Sequence, residues 1–248
     1  MDNRGIFIIL LFLIVILILI YIVSDYPSKF KGKIYPIHQT FYWINLDQCH
    51  QRRENMELLF KQHDINHVRV SAIQGIDEYS KNRACTQSHR KAITTFLESK
   101  EPVGIICEDD LTMEYQKYWR CSLDDVIRKA PEDWECIQLA VITNFLSFHL
   151  FFKSGSALYK PYHPEMFSAL CYIINRKGAK KLIKHPIQEW LLIPYITENW
   201  IYQNCKTYTF RYPMFTYPTN NDSNIHPSHL RGHELSKNRI TYYLKHNF

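Results

Sequence analysis

The chain has 248 residues and a formal net charge of +6, with Lys and Arg dispersed along it. That length allows one domain of ordinary size, with a real core, beyond its first two dozen residues. The modest, unclustered charge suits an anionic substrate or a membrane surface and does not by itself argue for nucleic acid, which is not expected as a partner. None of the seven cysteines forms a Cys-x-x-Cys pair, which argues against a zinc ribbon or a thioredoxin-type motif. Their odd number and wide spacing predict mostly free, buried thiols, with one or two disulfides open if the domain faces an oxidising compartment.

Residues 1–5 are a short tail. Ile6 to Val23 is an unbroken apolar run without charge, Gly or Pro, long enough as a helix, about 27 Å, to span a bilayer. No small-x-small cleavage site comes after it, so the run predicts an uncleaved signal anchor and a single-pass membrane protein. Residues 24–38 read as a basic stem and residues 39–248 as the domain.

Phe41 to Leu46 is aromatic and β-branched and predicts a first buried strand, with Asp47 placed to cap the next element. His50 to Asp64 carries Met56, Leu59, Phe60 and His63 on one face and predicts an amphipathic helix. Val68 to Ala72 alternates as a strand, and Ile73 to Asn82 reads as a polar loop. A second helix is expected from Thr86 to Ser99, then the strand Val103 to Cys107, which runs into Glu108, Asp109 and Asp110. Ser122 caps a helix to Lys129. Cys136 to Val141 predicts a strand, and Thr143 to Phe167 a long loop or small hairpin over a substrate site. Ala169 to Ile174 returns to strand, Asn175 caps a helix to His185, Glu198 to Asn204 is helical, Tyr208 to Arg211 is a last strand, and Ser236 to Lys245 a last helix.

Strand–helix alternation predicts an α/β fold with a mostly parallel central sheet. Ligands of such sheets gather outside the carboxyl ends of the strands. That edge collects Asn45, Asp47, the loop after Ala72 and the three acids, which offer hard oxygen ligands to a divalent cation.

Several of these stretches resemble glycosyltransferase family 25, which includes lipopolysaccharide-type β-galactosyltransferases and collagen hydroxylysine galactosyltransferases. They are Trp43-Ile44-Asn45-Leu46-Asp47 with Arg52-Arg53, Ser71-Ala72-Ile73-Gln74-Gly75, Thr86-Gln87-Ser88-His89, Ile106-Cys107-Glu108-Asp109-Asp110, and the strand from Ala169 with Lys177-Gly178-Ala179-Lys180-Lys181-Leu182. They stand in the family's order across about residues 41 to 185. Cys107 replaces a usual aliphatic residue, and Thr143 to Phe167 does not align.

The resemblance implies a GT-A-like nucleotide-sugar fold, a UDP-sugar donor carrying galactose or glucose, and Mn²⁺ or Mg²⁺ under the donor diphosphate. Glu108 and Asp110 are then the metal pair, Asp110 foremost, with His226 as a later ligand. Asp109 turns to the ribose or a backbone group. Asn45 and Asp47 meet the nucleoside, Arg52 or Arg53 the diphosphate, and His89 the donor or acceptor. The family inverts the anomeric centre, which requires a base; Glu198, near Trp200, and Asp222 are the candidates. The acceptor is a hydroxyl on a glycan, a lipid-linked saccharide or hydroxylysine. Lys29, Lys31 and Lys33 against Arg4 favour a cytosolic domain by charge, whereas anchored transferases of this kind present the domain to an ER- or Golgi-type lumen, which is the expectation here. A metal-dependent phosphoesterase or nuclease, and an inactive anchored binding module of the same fold, are the rival readings.

Overall fold

The computed structural model describes residues 34–187, 197–219 and 230–246, all within the compact unit Gly32–Phe248. Among them no helix is long and apolar enough to cross a membrane. The anchor at 6–23, most of the stem, Asp222 and His226 lie outside the described residues.

The strands are β1 (Phe41–Asn45), β2 (His67–Ser71), β3 (Val103–Glu108), β4 (Cys136–Gln138), β5 (Tyr159–Pro161), β6 (Cys171–Asn175) and β7 (Thr207–Phe210). They form one sheet in the order β2-β1-β3-β6-β4-β7-β5. The helices are α1 (His50–Gln62), α2 (Glu78–Glu98), α3 (Leu123–Arg128), α4 (Phe145–Phe148), α5 (Arg176–Lys184), α6 (Thr197–Tyr202) and α7 (Leu230–His246).

The expected mostly parallel sheet is corrected to a mixed one. β1 pairs parallel with β2 and β3, and β4 with β7. β6 runs antiparallel between β3 and β4, and β5 antiparallel to β7. The segment between β4 and β6 carries helical turns and the edge strand β5 and returns the chain antiparallel to β4, so the two strands do not form a βαβ unit.

Central strands buried on both faces explain the unbroken apolar runs. Phe41, Trp43, Ile105 and Cys107 face one way, onto Met56 and Phe60 of α1 and Leu123 and Val126 of α3. Tyr42, Ile44 and Ile106 face the other way, onto Ile93 and Phe96 of α2, Leu182 of α5 and Trp200 of α6. Phe148, Phe151 and Phe152 pack with Ile240, Tyr243 and Leu244 of α7 in a third cluster.

Several boundaries differ from the sequence reading. α2 begins at Glu78, not near Thr86: Asp77 caps it and exchanges hydrogen bonds with Ser80. Asp47 does not cap α1, whose N-cap is Cys49 without a side-chain bond. Residues 143–167 are not simply loop, since they hold α4, a π-helical turn (His149–Lys153) and β5. Ser122 and Asn175 cap α3 and α5 as expected. All seven cysteines are free thiols.

The chain steps from β1 out to β2, then returns past β1 to β3. Strand order therefore reverses at β1, and the carboxyl ends of β1 and β3 open a crevice there.

Candidate functional site

Strand alternation deals the three acids to different neighbours. Glu108 continues the face of Ile106 and meets α2: its Oε1 lies 3.1 Å from His89 Nε2. The other nitrogen of His89, Nδ1, lies 3.2 Å from the Tyr172 hydroxyl. A neutral imidazole protonated on Nε2 donates to Glu108 and accepts from Tyr172, which satisfies both contacts. His89 is fully buried.

Asp109 continues the face of Cys107 and meets α1. Arg52 donates to its Oδ1 at 2.8 Å, and Asn45 Nδ2 to its Oδ2 at 2.7 Å. Asn45 in turn accepts from Arg69 Nε at 3.0 Å. Arg69 also donates to Asp47 at 2.6 Å, and Ser71 to the other Asp47 oxygen at 2.7 Å. β1, α1, β2 and β3 are thus tied through the carboxylate of Asp109, both of whose oxygens are taken.

Asp110 differs. Its Oδ1 is sealed from solvent and has no hydrogen-bond partner among the described residues. Burial, and then the neighbouring Glu108 carboxylate, push its carboxyl up to about 7. A pair of carboxylates with one oxygen left orphaned is chemically suited to a divalent cation.

Two cavities meet at this pair. One, of about 410 Å³, is lined by Arg52, Ala72 to Gly75, Lys81 and His89. The other, of about 710 Å³, is lined by Phe145, Ser168, Glu198, Tyr217 and α7 residues including Arg239. Cys85, Glu108 and Asp110 line both. Gly75 lets the loop after β2 lie against α2, since a Cβ there would collide with the Lys81 backbone.

Glu198 stands in the first turn of α6, and its Oε1 accepts from the Ser168 amide at 2.9 Å. Burial, with Glu108 adding to it, raises the Glu198 carboxyl above the usual range. Ser168 holds a left-handed backbone with φ of 100°. Its carbonyl accepts from Gln138 and Tyr202, and its hydroxyl from the Leu170 amide. A non-glycine residue so fixed is strained, and such strain collects at functional sites.

The structure therefore brings Asn45, Arg52, His89, Glu108, Asp109, Asp110 and Glu198 to one crevice. Asp47 stands at its rim on Arg69. Arg53 turns to the exposed face of α1 and pairs with Glu57 at 2.8 Å. Trp200 is buried in the core and not exposed to stack on a sugar. The sequence reading missed Cys85 and Ser168. Cys85 precedes His89 by one helical turn, a spacing visible once α2 is extended back to Asp77. Ser168 carries no sequence signal, since its backbone conformation is imposed by tertiary contacts.

Residues 79–195 match glycosyltransferase family 25 (LPS biosynthesis protein). No curated protein sequence matches the chain. One similar solved structure is a glycosyltransferase involved in the glycosylation of the major capsid of PBCV-1: TM-score 0.43, 10% identity, covering 82% of this chain and 98% of that one. Another is a Drosophila β-1,4-galactosyltransferase 7 mutant in complex with manganese, UDP-Gal and xylobiose: TM-score 0.35, 13% identity, covering 73% of this chain and 71% of that one.

Proposed function

From the match of residues 79–195 to glycosyltransferase family 25, we propose that the chain moves a hexose, galactose or glucose, from a UDP-sugar to an acceptor hydroxyl with inversion. The acceptor is a glycan, a lipid-linked saccharide or hydroxylysine. The observation that carries this reading is the orphaned Asp110 oxygen beside Glu108, where the two cavities meet.

The smaller cavity takes the donor in a GT-A-like manner. Arg52 and Lys81 line it and supply positive charge for a diphosphate. Asp109 fixes Arg52 in that wall and is itself held by Asn45. Glu108 and Asp110 would hold Mn²⁺ or Mg²⁺, with His226 a candidate third ligand. The cation neutralises charge on the departing UDP.

The larger cavity takes the acceptor. Glu198 lines it with a raised carboxyl, which suits a base working near neutral pH. It accepts the acceptor proton as the acceptor oxygen bonds to the anomeric carbon and the bond to the diphosphate oxygen breaks. Asp222 is the alternative base. The apolar run 6–23 supports a single-pass anchor; the proposed orientation, with the domain in an ER- or Golgi-type lumen, rests on the family resemblance.

A panel of UDP-sugars assayed with Mn²⁺ for UDP release tests the reading. Release above background with one donor is expected, and Asp110→Ala should abolish it. An unchanged rate in that variant overturns the metal assignment. No release from any donor favours the binding-module alternative.

A further inference from the structure

Cys85 and His89 stand one turn apart on α2 and converge on the Glu108 oxygen, on the side away from Asp109. Their ligand atoms and that of Glu108 all lie within 4.8 Å of one another. His89 Nε2 is 3.1 Å and Cys85 Sγ 4.0 Å from the same Glu108 Oε1. Ligands at usual zinc bond lengths, about 2.3 Å for sulfur and about 2.0–2.2 Å for nitrogen and oxygen, stand about 3.3–3.6 Å apart around a tetrahedron. The three side chains need only small rotations to close on one ion.

We propose that Cys85, His89 and Glu108 form a second metal site, for a soft or borderline cation of the zinc class, with its fourth position open to the cavities. The donor chemistry selects the ion. A thiolate and an imidazole favour zinc, cobalt or copper(I) over Mg²⁺ and Mn²⁺, which prefer the all-oxygen pair Glu108 and Asp110. The surroundings complete the requirements of such a site. The Tyr172 hydroxyl holds His89 Nδ1 and so directs Nε2 at the ion, the outer-shell support that metal-bound histidines commonly have. Cys85 lines both cavities, so the ion has a path in from either. Binding displaces the thiol proton of Cys85; the ring proton of His89 passes from Nε2 to Nδ1, which then donates to the Tyr172 oxygen, and Nε2 and the Glu108 carboxylate each bond the ion.

Glu108 belongs to both donor sets. An ion held by Cys85 and His89 takes Glu108 from Asp110, so the zinc-class ion and the hard cation compete. The site stands on these residues alone and does not depend on the transfer reaction.

The test uses the full chain in detergent, freed of metal by chelation and titrated with Co²⁺. Cobalt reports its ligands optically: a thiolate gives an intense near-ultraviolet charge-transfer band, and tetrahedral geometry gives strong visible bands. One equivalent of cobalt should develop both, and zinc should bleach them. Cys85→Ser, checked for unchanged far-ultraviolet circular dichroism, should lose the charge-transfer band and weaken zinc binding at least about 10-fold. Asp110→Asn should keep the band. A cobalt spectrum without a thiolate band, or equal zinc affinity in Cys85→Ser, overturns the site. Because Asp110→Asn removes the hard-cation pair and leaves this one, failure here and failure of the UDP-sugar reading are read separately.

Discussion

Asp110→Asn should make the metal-free protein more stable at pH 7.5 and no more stable at pH 4. In the unfolded chain the carboxyl of Asp110 ionises near 3.8, and in the fold burial and then Glu108 raise it to about 7. Between those values the folded state binds the extra proton, so stability falls as pH rises from about 4 to about 7, and the whole penalty is present above that. A shift of that size corresponds to at most about 4 kcal/mol at 1.36 kcal/mol per tenfold. Relaxation of the site and water in the two cavities screen it, which leaves about 1–2 kcal/mol. The amide loses no hydrogen bond at Oδ1, because none exists there among the described residues, and its NH₂ can donate to Glu108.

Thermal unfolding with EDTA, followed in detergent from pH 4 to pH 8, measures this directly. For a domain of this size each kcal/mol moves the midpoint by about 2–4 °C. The variant should therefore gain about 2–8 °C at pH 7.5, with the two curves merging towards pH 4. Mn²⁺ with UDP should reverse the order, because only the wild type gains from a ligand that binds the folded state. A variant less stable than wild type at pH 7.5 without metal would refute the reasoning, since it would mean the Asp110 charge is already compensated.

Glu198→Gln should lower kcat by about 10²–10⁴-fold, the usual contribution of a general base, while UDP affinity by calorimetry stays within a few fold. Arg52→Gln leaves Asp109 with Asn45 alone; it should cost about 1–3 kcal/mol of stability and raise the donor KM about 10-fold, whereas Arg53→Gln, on the exposed face, should leave the unfolding midpoint unchanged. Ser168→Gly should be more stable than Ser168→Ala by about 1–2 kcal/mol, because both lose the hydroxyl bond to Leu170 but only glycine adopts φ of 100° freely; chemical denaturation in which alanine proves the more stable would remove the strain argument.

Much of the β2-β1-β3 side of the sheet was legible in the sequence. β1 and β3 are short apolar runs that end in polar residues, and buried strands have little other way to look. Ser122 and Asn175 announced their helices because a capping oxygen acts locally. The direction of β6 was not legible, since a strand buried on both faces, Cys171 to Ile174, reads alike in either orientation. The first turns of α2 escaped because their inward positions are Asn82, Ala84, Thr86 and Ser88, small or polar residues that make no apolar stripe. Cys85 was hidden with them. Asp47 read as a cap because sequence proximity suggested α1. Its actual partners, Arg69 and Ser71, arrive only through the parallel register that sets Asn45 beside Ser71.

Three consecutive carboxylates would repel one another in any conformation that kept them together, and the strand end solves this by separating them. Glu108 is the last residue of β3 and points to the α2 face. Asp109 points to the α1 face, where Arg52 and Asn45 occupy both its oxygens. Asp110 leaves the strand and turns back to the wall shared by the two cavities. The middle acid thus becomes a bolt between β1, α1 and β3. The outer two are left on one side of the sheet edge, one tethered to His89 and one with an oxygen that has no hydrogen-bond partner among the described residues. A motif read as Glu-x-Asp is therefore not two ligands with an idle spacer. Asp109 ties β1 and α1 to the end of β3, whereas Glu108 takes its position from His89.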